Sequence, residues 1–225
     1  MSKNKIAICS CARLKSSRCK RKMIRSFNGS SLTDIMLRKL RLISSKNKEF
    51  DVFFAGHEKI FLEKSKRHRV HFIQRTKKSA NIDGPASEIY NFFKDLNYDY
   101  FFLINACMPF LKTSTIINLV KICKKQKAPC FGVFLNKNFF IDQKNQSINF
   151  DKKMRVINTK KVKPLREFAH CFYFFNKKYF KNHGVFWNWN KVKYINLKNS
   201  LEFYDIDDEK DFQTASKISK VIKNV

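Results

Sequence analysis

Cationic side chains are concentrated between Arg13 and Lys22, in a polar segment that follows a short apolar run at residues 6–12. A run of that length is typical of a buried strand, and Ser31 followed by apolar residues at helical spacing indicates the start of a helix. Strand, basic loop and helix form the arrangement by which α/β proteins hold phosphate groups at the carboxyl edge of a sheet. The loop is therefore a candidate triphosphate site, although a surface loop of a generally basic protein would show the same composition.

Carboxylates cluster near the other end of the chain. Asp205 and Asp207 alternate in a segment that we interpret as the end of a strand, which would point both carboxylates to one side. Two carboxylates at this spacing suit Mg²⁺, which usually takes one or two of them together with phosphate oxygens and water. Asp208, Glu209 and Asp211 are placed as the cap and first-turn charges of a C-terminal helix. Helix capping does not account for Asp205, so the pair is a candidate metal site.

Short apolar runs alternate with segments of helical periodicity along most of the chain, which is typical of α/β proteins. The run at residues 98–104 is almost continuously apolar, as expected of a central parallel strand. From residue 136 to residue 164 the pattern weakens, and we interpret this part as a hairpin-rich insertion. The remaining predicted strands cover residues 51–56, 70–74, 128–135 and 168–175, and the remaining predicted helices cover residues 57–66, 86–96, 114–125 and 208–223.

Three short motifs are spread over nearly the whole chain: Ala-Arg-x-x-Ser-x₅-Lys at residues 12–22, Asn-x₃-Pro at residues 105–109 and Asp-x-Asp-x₃-Asp at residues 205–211. In type, order and distance from the two ends they resemble the landmarks of the cytidylyltransferases that activate sugar acids. That family includes the acylneuraminate (CMP-sialic acid) and 3-deoxy-manno-octulosonate synthetases.

The resemblance implies a fold that agrees with the alternation of strands and helices. It is a Rossmann-like three-layer sandwich with a mostly parallel central sheet, of the nucleotide-diphospho-sugar transferase type, in a single domain over residues 1–225. Residues 136–190 would then be an insertion that supplies acceptor contacts and a dimer surface, so the resemblance also implies a homodimer.

The activity implied by the resemblance is transfer of a cytidylyl group from CTP to a hydroxyl of an acidic, sugar-like acceptor, with release of pyrophosphate. Arg13, Ser16 and Lys22 would hold the triphosphate, and Lys22 would also neutralise the leaving pyrophosphate. Arg75, at the carboxyl end of a predicted strand, would help to hold the nucleotide. A solvated arginine beside two lysines is an equally good interpretation of that position.

Two further roles follow from the same resemblance. Asn105 would orient the acceptor or the ribose, and Asp205 and Asp207 would bind Mg²⁺ against the α-phosphate. Lys22, Asn105 and Asp207 are thus the candidate catalytic residues. No side chain stands out as a general base.

The chain also departs from the family pattern. No glycine lies between Arg13 and Lys22, where the family usually has one or two, so this loop must be built differently. Asn105 stands in the place of a glutamine and has a reach that is shorter by one methylene. His170 precedes an apolar run where the family often has Asn-Gly, and a lone histidine there is more often packed than catalytic. A catalytically silent relative is therefore one alternative.

The charge suggests another alternative. Lys and Arg number 47 against 18 Asp and Glu, a formal net charge of +29, and such a field attracts polyanions such as nucleic acid. The lysines are spread along the whole chain, however, and the abundance of Asn, Ile and Phe indicates a general compositional bias. A nucleic-acid-binding protein is thus possible but not favoured.

The cysteines and the hydropathy bear on the compartment. The seven cysteines include no Cys-x-x-Cys pair, and Cys9 and Cys11 fall on one face of the first predicted strand, so we expect buried, reduced thiols. No apolar run reaches the length of a membrane span, and the start of the chain lacks the apolar stretch of a signal peptide. We expect a cytoplasmic protein.

Overall fold

A seven-stranded sheet forms the centre of the protein, with the strand order β3-β2-β1-β4-β6-β5-β7. The computed structural model describes residues 5–222. All neighbouring strands are parallel except for β6, which runs antiparallel to both β4 and β5. The mostly parallel sheet of the α/β prediction is confirmed. The strands are β1 (Ile6–Cys11), β2 (Phe50–Gly56), β3 (His71–Gln74), β4 (Tyr100–Asn105), β5 (Cys130–Asn136), β6 (Leu165–Asn176) and β7 (Lys193–Asn196).

Helices cover both faces of the sheet and give the expected three layers. Because side chains alternate along a strand, Ile6 and Ile8 of β1 belong to one core, whereas Ala7 and Cys9 belong to the other. The α-helices are α1 (Leu32–Lys46), α2 (Lys59–Arg67), α3 (Lys77–Asn81), α4 (Ala86–Ile89), α5 (Thr113–Gln126), α6 (Lys177–His183) and α7 (Glu209–Val221), and 3₁₀ turns occur at Asn91–Lys94 and Thr159–Lys161. Within residues 5–222 no helix is both long and apolar enough to cross a membrane.

The prediction of one continuous helix over residues 86–96 is wrong. It consists of α4 and a separate 3₁₀ turn, joined at Tyr90. The turn carries Phe92 and Phe93 inward, where Phe93 packs against Phe101 with ring centroids 4.4 Å apart. The aromatic burial that looked helical in the sequence is thus achieved by two short pieces with different axes.

The weakly patterned segment of residues 136–164 contains an antiparallel bridge between Ile141 and Ser147 and one 3₁₀ turn. The buried side chain of Asn149 holds it together, because it accepts from the Phe140 amide and donates to the carbonyls of Asn138 and Lys163. The role of residues 136–190 as an insertion within one domain stays a prediction.

The C-terminal helix begins as the acidic cluster predicts. Asp208 is its N-cap, and Asp208 and Asp211 form a reciprocal capping box. Its predicted end, Lys223, lies outside the described residues.

Asp34 joins α1 to α2. Its carboxylate accepts from Ser31 Oγ at 2.6 Å and lies 2.5 Å from Lys64 Nζ and 3.0 Å from His68 Nε2. Burial alone would raise the pKa of Asp34, but the hydrogen bonds from Lys64, Ser31 and His68 outweigh it and lower this pKa to about 2. The ionised carboxylate is therefore a stabilising group.

We expect Asp34→Asn to lower the free energy of unfolding at pH 7 by about 1–2 kcal/mol. Because the folded-state pKa lies below the unfolded one, the stabilisation is complete above about pH 4 and disappears as the pH falls towards about 2. Urea unfolding of both proteins across this range measures the difference. Glu63→Gln, which removes the exposed Lys59–Glu63 pair, is the control and should leave the unfolding midpoint unchanged. A constant difference between Asp34→Asn and the unaltered protein at every pH would contradict the assignment.

Candidate active site

A cavity of about 420 Å³ opens at the carboxyl ends of β1 and β4. The chain runs outward from β1 through β2 to β3 and then returns to place β4 on the other side of β1. The crevice therefore lies at a topological switch point, where open α/β sheets bind their ligands. Its walls come from β1 and the basic loop, the end of β4, the segment after β3, and β6; among them are Cys11, Arg13, Arg18, Arg75, Asp83, Tyr90, Asn105, His170 and Tyr173.

The basic loop is folded against the core. Cys19, Met23 and Phe27 are almost completely buried, and Thr33 Oγ1 donates to the Met23 carbonyl at 2.6 Å. With these apolar residues inward, the loop cations are held at the protein surface beside the cavity. The loop is thus anchored to the core, and its role as a triphosphate site stays a prediction.

The loop makes its turn without glycine because Arg21 adopts the left-handed conformation, with φ of +53°. The Arg21 carbonyl then accepts from the amides of Ile24 and Arg25 at 3.0 and 3.1 Å. A side chain in this region costs about 1–2 kcal/mol, which the surrounding contacts must offset.

The two ends of the chain meet at this loop. Arg18 donates to both carboxylate oxygens of Asp207, at 2.9 and 3.3 Å. Lys22 Nζ donates to the Ile206 carbonyl and lies 3.9 Å from Asp207 Oδ1. The basic loop and the acidic segment are therefore in contact beside the cavity. Arg18 and Asn105 line the cavity and contact the acidic pair, whereas Lys22, Asp205 and Asp207 are not among its lining residues.

Asp205 and Asp207 lie in an irregular segment before α7 and not at the end of a strand, so that part of the sequence interpretation is wrong. Asp205 instead faces β4, where its Oδ2 accepts from Asn105 Nδ2 at 2.8 Å. Its Oδ1 is buried and has no hydrogen-bond partner among residues 5–222. Burial and the charge of Asp207 raise the pKa of Asp205. The two carboxylates are thus close enough to interact although no strand aligns them.

Asn105 is fixed at the end of β4. Its Oδ1 accepts from the Cys107 amide at 2.9 Å, and its Nδ2 also approaches the His170 carbonyl at 3.4 Å. The side chain therefore connects β4, β6 and the acidic segment, and it lies on the cavity wall.

Arg13 and Ser16 occupy different positions. Arg13 lines the cavity and pairs with Asp83 at 3.0 Å across its mouth. Ser16 is partly buried, does not line the cavity and has no side-chain hydrogen bond to another predicted site residue among residues 5–222, so the structure does not bring it together with them. Arg18 does line it, although sequence reasoning gave this residue no individual role. The available signal was its position between Ser16 and Lys22 of the first motif, five residues after Arg13.

Arg75 is buried, with 5% of its surface exposed, so the interpretation as a solvated arginine is wrong. Its Nη2 donates to the carbonyls of Ser79 and Ile89 at 2.5 and 2.9 Å. Its Nε is buried without a hydrogen-bond partner among the described residues. The guanidinium thus holds the segment that forms one cavity wall and keeps one unsatisfied donor there.

His170 is exposed on the cavity wall, which differs from the packed position expected of it. It has φ of +46° and its Nδ1 lies 2.8 Å from Tyr173 Oη. The pairing of β5 with β6 shifts register nearby, between Phe131 and Val133. This irregularity turns His170 out of the strand pattern and towards the cavity.

We expect Arg21→Gly to leave the free energy of unfolding unchanged or to raise it by up to about 1 kcal/mol, because glycine adopts positive φ without strain. The same substitution at Arg38, exposed in the middle of α1, should lower it by about 1 kcal/mol. Chemical denaturation of the two variants tests this contrast. Equal losses in both variants would show that the turn at Arg21 is not under strain.

Solved structures of nucleotidyltransferases share this fold over nearly the whole chain. CMP:2-keto-3-deoxy-manno-octonic acid synthetase complexed with CTP is similar with a TM-score of 0.70 and 10% identity, covering 97% of this chain and 99% of that one. The 4-diphosphocytidyl-2C-methyl-D-erythritol synthase of Anaerococcus prevotii is similar with a TM-score of 0.63 and 12% identity, covering 96% of this chain and 99% of that one. A cytidylyltransferase of Leptospira borgpetersenii serovar Hardjo-bovis is similar with a TM-score of 0.59 and 14% identity, covering 98% of this chain and 89% of that one.

No curated protein matches this sequence. The family model described as cytidylyltransferase nevertheless matches residues 7–222, which include both the basic loop and the acidic segment. Since this match extends over almost all of the chain and the fold agrees with it, the protein belongs to the cytidylyltransferase family.

Proposed function

We propose that this enzyme transfers a cytidylyl group from CTP to a hydroxyl of an acidic, sugar-like acceptor and releases pyrophosphate. One observation carries the proposal: the cations of the basic loop and the carboxylates of the C-terminal segment meet at the switch point between β1 and β4. Phosphoryl transfer needs positioning and charge neutralisation more than covalent chemistry by the protein. A cationic loop facing two carboxylates supplies both.

The triphosphate would be held by Arg13, Arg18 and Lys22, with Ser16 in the same loop as a further candidate. The Lys22 side chain is 13% exposed, so its charge is less screened by water than that of the neighbouring arginines. This supports its proposed role of neutralising the leaving pyrophosphate. Arg75, with its unsatisfied Nε, would contact the nucleotide deeper in the cavity.

Asp205 and Asp207 would hold Mg²⁺. The donors fit this ion, because both are carboxylates and one buried oxygen of Asp205 has no partner in the described part of the chain. When bound, the ion would stabilise negative charge on the attacking and leaving oxygens. Asp207 is paired with Arg18, so the arginine must release it, and phosphate oxygens are a suitable replacement partner for that guanidinium.

Asn105 would act by orienting other groups of the site. Its amide donates to Asp205 and so orients that carboxylate, and its place on the cavity wall also allows a contact with the ribose or the acceptor. The acceptor would lie towards His170 and Tyr173 on β6. The acidic, sugar-like character of the acceptor is inferred from the resemblance to the sugar-acid cytidylyltransferases.

Thermal unfolding with each of the four nucleoside triphosphates, with and without Mg²⁺, tests the binding. We expect a rise in melting temperature that is specific for CTP and larger with Mg²⁺, because a ligand that binds only the folded state stabilises it. Pyrophosphate release with CTP and 3-deoxy-manno-octulosonate, or a nonulosonic acid, then tests turnover. CTP binding without turnover would indicate a silent relative. Oligonucleotide binding that weakens with salt, without a CTP response, would support the nucleic-acid alternative instead.

We expect Asp205→Asn and Asp207→Asn each to lower pyrophosphate release at least about 100-fold, because each removes a charge on the metal. The exposed Asp95→Asn is the matched control and should keep full turnover. Circular dichroism and the melting temperature must show that the variants are folded. Undiminished release by a folded Asp207→Asn would refute the metal assignment.

The homodimer is proposed to form through residues 136–190. Exposed apolar side chains are concentrated there, with exposed fractions of 57% for Val156, 85% for Ile157 and 58% for Trp189. Such surface on a soluble domain often marks a protein interface.

We expect light scattering to give the mass of two chains, and the double variant Val156→Lys/Ile157→Lys to give that of one, because the added charges would oppose burial at the interface. Val221→Lys changes a valine that is 82% exposed on α7, outside the segment, and should remain dimeric. A monomeric unaltered protein would overturn this proposal. The cytoplasmic location stays a prediction.

A further inference from the structure

Cys11 differs from the other cysteines in its surroundings. It is the last residue of β1, partly buried, and its side chain lines the cavity of the candidate active site. Five of the remaining cysteines are buried. Cys107 is also partly buried, but its Sγ packs at 3.7 Å from Met23 Sδ and it does not line the cavity.

Cationic groups surround the same cavity. Arg75, nine-tenths buried or more, lines it with a guanidinium whose Nε has no hydrogen-bond partner among the described residues. Arg13 and Arg18 lie on the wall formed by the basic loop. The carboxylate on that wall, Asp83, is already paired with Arg13. A negatively charged molecule that enters is therefore attracted towards the thiol.

The thiol itself is activated. A hydrogen bond from Cys9 lowers the pKa of Cys11, burial opposes this, and the charge of Arg75 lowers it further. Burial raises the pKa of Cys9, whose Sγ lies 3.7 Å from the Ser10 carbonyl. The thiolate is the nucleophilic form of cysteine, and a partly exposed thiolate beside an arginine is the usual setting of a reactive one. By contrast, burial raises the pKa of Cys107 to about 11.

We propose that Cys11 is a thiol–disulfide exchange site that takes negatively charged disulfides into the cavity and, once modified, prevents nucleotide binding. The Cys11 sulfur attacks one sulfur of the disulfide, the S–S bond breaks, and the second half leaves as a thiolate. Cys11 is thereby oxidised to a mixed disulfide and the departing half is reduced, so no further redox partner is needed. The blocking of nucleotide rests on the proposed function, whereas the reactivity of Cys11 does not.

The test uses the full chain, kept reduced and then treated with glutathione disulfide, which is anionic, or with bis(hydroxyethyl) disulfide, which is neutral. Peptide mapping by mass spectrometry follows each cysteine with time. We expect Cys11 to react about tenfold faster than Cys107 with the neutral reagent, and the ratio to be larger with the anionic one. Faster labelling of Cys107 or of a buried cysteine would overturn the proposal, as would a ratio that falls with the anionic reagent.

Cys11→Ser should abolish the fast phase of labelling, and Cys107→Ser, the matched control, should keep it. Both substitutions are nearly isosteric. A fast phase that persists in a folded Cys11→Ser would overturn the assignment. If either variant fails to fold, the labelling rates of Cys11 and Cys107 in the unaltered protein still test the proposal, because they need no substitution.

The effect on nucleotide is measured on the same samples. CTP with Mg²⁺ should slow the labelling of Cys11, and the labelled protein should lose the CTP-dependent rise in melting temperature. Labelled protein that keeps this rise would overturn the blocking. If the unmodified protein shows no response to CTP while Cys11 still reacts first, the proposed function fails and the exchange site stands. If Cys11 is unreactive in a protein that binds CTP, the exchange site fails and the proposed function stands.

Discussion

Docking of the C-terminal segment onto the basic loop is the contact on which the candidate site depends. Arg25 donates to both carboxylate oxygens of Glu209 at 2.9 Å, and its guanidinium lies 3.7 Å from the centre of the Phe212 ring. The buried Phe27 packs edge-on against the same ring at 5.5 Å. Because buried aromatic surface accompanies the charge pair, salt alone does not remove this contact. It places the acidic pair of the site beside the loop cations although the two lie at opposite ends of the chain.

The ion pairs of the site are weak in a way that suits ligand exchange. The Arg13 and Asp83 side chains are 39% and 86% exposed, and those of Arg18 and Asp207 are 66% and 48% exposed. Pairs this exposed contribute about 0–1 kcal/mol each. A phosphate oxygen or a metal ion can therefore replace either partner at little cost. The loop is rigid through its buried residues, whereas its cations remain free to change partners.

Elements with a strong local signal could be predicted from the sequence, and those defined by their neighbours could not. The apolar run was sufficient to predict β4, and the Ser31 cap was sufficient to predict the start of α1. Both signals depend only on residues that are consecutive in the sequence. The short helices α3 and α6 and the edge strand β7 are at least half polar, so they contain no apolar run or period that marks them. Nothing in the local pattern of β6 indicates that it inserts antiparallel between β4 and β5.

In the candidate site, too, only the residues beside elements with a strong local signal could be predicted. The order of the motifs was enough to group Lys22, Asn105 and Asp205, since each follows or precedes a recognisable element. The positions of Arg18 and Ser16 depend instead on the path of a loop whose left-handed turn at Arg21 has no glycine to mark it. The sequence could therefore indicate which loop borders the cavity but not which of its side chains line it.

Arg75 contributes both to the fold and to the candidate site. α4 has only four residues, too few to satisfy its own terminal carbonyls, and the carbonyl of its last residue, Ile89, accepts from the Arg75 guanidinium together with that of Ser79 in α3. The arginine thus stabilises a wall made of two helices that could not stand alone. In doing so it keeps one N–H buried that no group of residues 5–222 accepts, which costs about 1–3 kcal/mol unless a ligand accepts it. The lysines that follow it made this arginine look solvated, because the segment that buries it has no strong pattern of its own.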